Sequence, residues 1–114
     1  MTALTIESTG VEGDERWAEL WTEAERAGDA AIAPLEGSPC RAFAFSHLII
    51  RPATSGFARY LRRHRIGHRG AHGGWDVGWV LGDAEVCRAY NDAVRQVLVY
   101  AGIEVESHWQ LDTD

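Results

Sequence analysis

Between Gly37 and Trp75 the chain carries seven arginines, Arg41, Arg51, Arg59, Arg62, Arg63, Arg65 and Arg69, and no aspartate or glutamate. All 17 acidic residues lie outside that window, with only Arg16, Arg26, Arg88 and Arg95 for company, so the net charge of −6 divides into +7 and −13. Guanidinium groups present a planar donor fork that matches phosphate and carboxylate. The stretch 67–74 follows, GHRGAHGG, whose glycines let backbone N–H groups approach a ligand closely. Together they specify an anion site built from Arg59, Arg62, Arg63, Arg65, Arg69, Gly70, Gly73 and Gly74. Tyr60 or Trp75 would supply a stacking face for a base. The ligand expected is a nucleotide or a short single-stranded nucleic acid, since the acidic remainder would repel a long duplex. The competing expectation is that these arginines form a solvated face paired with acidic helices of the same molecule.

Histidine chemistry is weaker in the sequence. His64, His68 and His72 are spaced by four, which on a helix would align three imidazoles as zinc ligands. Gly67, Gly70, Gly73 and Gly74 interrupt any such helix, and no cysteine or carboxylate lies nearby, so no metal or other cofactor is assigned. His47, His64, Asp76, Ser46 and Ser55 are residue types used in acid–base and nucleophilic catalysis. No spacing ties them together, and neither a nucleophile elbow nor a phosphate-loop motif is present. The expectation is a non-enzymatic protein, with His47 a satisfied histidine at a strand end. Asp76, the first carboxylate after the basic window, is expected on the solvent side of its strand or against an arginine. Cys40 and Cys87 form no CxxC pair and read as free thiols.

The elements that must hold these residues follow from periodicity. Residues 1–12 read as a mobile lead-in or a short edge strand. Trp17, Leu20, Trp21, Ala24, Ala27 and Ala31 recur at spacings of three and four, predicting a helix over 14–32 capped by Asp14. The run RAFAFSHLIIR is apolar on both alternating faces, predicting a central strand ended by Pro52. Thr54 or Ser55 caps a helix reaching about Ile66 and closed by Gly67, with Phe57, Tyr60, Leu61 and His64 inward and the arginines outward. Residues 67–74 are expected to be irregular. Trp75, Val77, Trp79 and Leu81 alternate as a second strand. A helix over 84–101 is capped by Asp83 and ended by Gly102. A third strand places Ile103, Val105, Trp109 and Leu111 opposite Glu104, Glu106, His108 and Gln110. The α-β-α-β-α-β order predicts an α/β domain over 13–112 with a three-stranded, mainly parallel sheet. The alternative is a two-layer α+β domain with an antiparallel edge.

At 114 residues the chain is of single-domain size. It has no apolar run of membrane-spanning length, and its first residues lack the pattern of a signal peptide. A cytoplasmic protein with no membrane partner is expected.

Taken in order, these features resemble a set of small proteins found mostly in phage and prophage genomes. The likeness covers roughly residues 42–112. It runs through the FAF strand and its proline, Thr54-Ser55, Phe57-Ala58, Leu61 and Gly67, then Gly73-Gly74, Ala89-Tyr90, Ala93 and Val97-Leu98, and closes with Gly102-Ile103 and Leu111-Asp112. His72 and Trp109-Gln110 depart from the pattern. The resemblance implies a phage-encoded accessory protein in a host cytoplasm. It raises a second functional expectation, an interaction or inhibitory module acting on a host defence protein.

Overall fold

The computed structural model describes residues 2–37, 42–70, 73–77 and 80–111, with backbone alone for 2–12, 43, 45, 80–82, 110 and 111. Cys40, Arg41, His72, Trp79 and Asp112 lie outside the described residues.

The first helix, α1, spans Thr2–Ile32. It begins well before Asp14, which is therefore an interior helical residue and not a cap, and it replaces the edge strand considered for residues 4–7. A helical glycine costs only about 1 kcal/mol, so Gly10 and Gly13 do not stop propagation, which adds a hydrogen bond with each residue fixed. A 3₁₀ turn, Ala33–Leu35, follows. Strand β1 is Phe43–Arg51, and the Arg51–Pro52 peptide bond is cis. Helix α2, Gly56–Arg63, is capped by Ser55, whose side chain accepts from the Ala58 N–H. Two short strands, β2 (His68–Arg69) and β3 (Trp75–Asp76), form a hairpin. Strand β4, Val80–Asp83, leads directly into α3, Ala84–Tyr100, whose cap Asp83 accepts from Val86 N–H. Strand β5 is Glu104–Leu111.

The sheet is antiparallel at every pairing, which overturns the mainly parallel α/β expectation; the protein is a small α+β domain. β1 is central. β5 pairs along it from Ala44 to Arg51 on one edge. β3 and β4 lie end to end along the other edge, with β2 outside β3. The register differs by one residue between the β3 and β4 ladders. The failure of the parallel expectation has a physical cause. β4–α3–β5 is a crossover, and its two strands do run parallel, but β1 is inserted between them as in a split β-α-β unit. Helix–strand alternation in a sequence does not reveal such an insertion. The irregular expectation for 67–74 also needs correction, because His68–Arg69 is a paired edge strand.

The helices cover one face of the sheet. Ala44, Ser46, Leu48 and Ile50 on β1 are buried, as is Val105, the partner of Ile50. Phe57, Leu61, Val94 and Leu98 complete that core. Each such side chain contributes about 1.5–3 kcal/mol on burial. α1 packs on α3 where the Tyr90 ring lies against Gly28, a position with no room for a Cβ. Beneath α3, Asn91 donates to the Ser46 hydroxyl.

Candidate functional site

Helix α2 docks through Phe57, Ala58, Tyr60 and Leu61, all buried. This leaves Arg59, Arg62 and Arg63 exposed, at positions that share a helix face. The helix ends in a Schellman closure: Ile66 N–H donates to Leu61 C=O at 2.9 Å and Arg65 N–H to Arg62 C=O at 3.1 Å. The left-handed residue of that closure is Arg65, φ 58°, where glycine is the usual occupant. The chain then passes into edge strand β2 and exposes Arg69. Arg59, Arg62, Arg65 and Arg69 thus form a basic arch from α2 to the sheet edge.

Self-pairing consumes little of this arch. Arg63 is ion-paired with Asp14 of α1, and His64 Nε2 approaches the same carboxylate at 3.7 Å. Arg62 lies 5.9 Å from the Trp75 ring centroid. Among the described residues Arg59, Arg62, Arg65 and Arg69 face no carboxylate.

Several other expected site residues serve the fold. Tyr60 is buried, stacked on Phe57 at 7° with its ring 4.4 Å from His64. Trp75 is also buried, and its indole N–H donates to Ile66 C=O at 2.7 Å. Neither ring is open to a base. Gly70 N–H donates to Gly74 C=O at 2.9 Å, closing the hairpin. Gly74 is buried, with Ile49 occupying the space a side chain would need. Gly73, φ 79°, remains exposed. The arginines are exposed along α2 and β2; the stacking platform and most of the glycine N–H cradle are not available.

A second polar assembly lies on the sheet face away from the helices. Asp76, expected toward solvent, is only 5% exposed. His47 Nδ1 bonds its Oδ2 at 2.8 Å, and His68 Nε2 stands 3.9 Å from the same oxygen. Asp76 Oδ1 has no partner among the described residues. Directly across from His47 on β5 is His108, whose Nε2 bonds Glu106 Oε1 at 2.8 Å. Arg51 donates to Glu106 Oε2 at 2.6 Å. The Glu106 carboxyl is held below its ordinary pKa by the Arg51 hydrogen bond first, then by that of His108. Sequence spacing could not find this cluster, because His47 and Asp76 are 29 residues apart and only the β1–β3 register joins them. The available signal was His108 alternating with Glu106 on one strand face. On the helical side, burial raises the pKa of Glu25 and of Tyr90; the Asp29 charge adds to both and that of Glu25 adds to Tyr90.

Among the described residues no helix is long and apolar enough to cross a membrane. Comparison with known proteins finds no matching family model, no matching curated protein and no matching solved structure.

Proposed function

We propose that the protein is a non-enzymatic, phage-type accessory protein that binds a phosphate-bearing ligand, a nucleotide or short single-stranded nucleic acid, on the arch of Arg59, Arg62, Arg65 and Arg69. The observation that carries this reading is Arg65. A side chain in the left-handed region costs roughly 1 kcal/mol or more, and glycine would close the helix without that cost. Strained residues cluster at ligand sites, and a strained, exposed arginine with three others free of carboxylate partners among the described residues supports a phosphate site. Each charge-assisted hydrogen bond to phosphate contributes about 1.5–3 kcal/mol. The test is a thermal-shift titration with mononucleotides, cyclic nucleotides and short oligonucleotides. A salt-sensitive rise in Tm supports the reading; no response to any of these anions contradicts it.

A second reading, docking on a host protein, draws on a different surface. Tyr100 is 96% exposed and Val99 46%, beside a groove lined by Leu20, Val97 and Ala101. Exposed aromatic and aliphatic groups of this kind mark protein contacts. It predicts that Tyr100→Ala abolishes binding to the partner and leaves nucleotide binding intact.

A further inference from the structure

The open face of the sheet carries an arrangement unrelated to the arginine arch. His47 and His108 are direct cross-strand partners, so their side chains share a face with Cβ atoms about 4.5–5.5 Å apart. Each ring has one nitrogen held by a carboxylate at 2.8 Å, His47 Nδ1 by Asp76 and His108 Nε2 by Glu106. The other nitrogen of each ring has no partner among the described residues. The side chains are 31% and 49% exposed, so both are partly desolvated and still reachable.

We propose that His47 and His108 form a two-imidazole site for a divalent transition ion, zinc, nickel or copper. Metal-binding histidines almost always donate their second ring N–H to a carboxylate, a backbone carbonyl or water, which fixes the ring and raises its basicity. Here two neighbouring histidines both have that support. The local charge suits a cation: among the described residues Asp76, Glu106 and Glu104 lie on this face against Arg51. Imidazole donors select zinc, nickel or copper over calcium or magnesium. Among the described residues no group of three ligating side chains is already gathered for a metal, so the protein supplies two ligands and water the rest. Such a site binds reversibly and leaves coordination positions open. His64, His68 and His72, the evenly spaced set, take no part.

Asp76 and Glu106 are positioning residues in this scheme. Neither need touch the ion.

The test uses the full chain, stripped with a chelator and titrated with zinc or nickel chloride by calorimetry, with histidine side-chain NMR shifts as the site-specific readout. His47 and His108 resonances should move together. His47→Ala and His108→Ala should each weaken binding by about 10-fold or more, the double variant little further, because one ion is chelated by both. Glu106→Gln should weaken it by about 10-fold without altering the fold, and His64→Ala should change nothing. Should His47→Ala fail to fold, the exposed His108→Ala and Glu106→Gln variants decide the matter. Absence of binding at millimolar metal, additive losses in the double variant, or shifts confined to His64 and His68 would overturn the proposal.

Discussion

Arg65 joins a backbone cost to a functional claim in one residue. Its left-handed conformation predicts that Arg65→Gly raises stability by about 1 kcal/mol in chemical denaturation, since glycine fits the closure without a Cβ penalty. The same change should weaken phosphate-ligand binding. Opposite signs from one substitution distinguish a site held under strain from an accidental turn. Glu106 makes a pH-dependent prediction. Its folded pKa is depressed by Arg51 and His108, so its contribution is present above the ordinary carboxylate range and is lost as pH falls through the folded value. Glu106→Gln should therefore lower stability in the neutral region, leave the acid end nearly unchanged, and so flatten the acid limb of the profile. Asp76 shows what residue-level reading of a sequence misses: a carboxylate flanked by tryptophan and valine looked solvent-facing, while pairing with β1 buries it under His47.

Among the elements, the caps of α2 and α3 were local signals and therefore legible, whereas Asp14, expected to cap α1, lies inside it. Ser55 and Asp83 cap α2 and α3 as their side-chain chemistry dictates, and Gly102, φ 89°, completes a Schellman closure in which Ile103 N–H donates to Leu98 C=O. Ser55→Ala should cost about 1 kcal/mol, measurable by urea denaturation. The inward set Phe57, Tyr60 and Leu61 followed from a 3.6-residue period, and so did the outward arginines, while His64, expected inward with them, is exposed. Strand order was not legible. It depends on which edge of β1 each later strand meets, and a crossover helix has the same pattern whether its strands are adjacent or split. Gly67 belongs to this class too. It was expected to close α2, but it lies under the Asp76 carbonyl and the Trp75 indole at φ 85°. Gly67→Ala should destabilise the domain by more than a surface substitution's usual ~0.5 kcal/mol, because both the backbone conformation and the space exclude a side chain.

For the whole molecule, the described residues carry two polar surfaces. The arginine arch runs along α2 and β2, while the histidine and carboxylate groups occupy the open sheet face. Of Arg59, Arg62, Arg63, Arg65 and Arg69, only Arg63 is ion-paired among the described residues, with Asp14 on α1. The binding claim therefore rests on Arg59, Arg62, Arg65 and Arg69 acting together. The most direct measurement is equilibrium binding of a fluorescently labelled short single-stranded oligonucleotide, by anisotropy, to the wild-type chain and to Arg59→Ala/Arg62→Ala at two salt concentrations. The predicted result is wild-type binding whose log affinity falls with log salt at a slope of about −3 or shallower, at roughly 0.7 per phosphate engaged. The double variant should lose several kcal/mol of that affinity, at ~1.5–3 per contact, with an unchanged Tm. Equal affinity in the folded double variant, or no binding by the wild type at low salt, would contradict it.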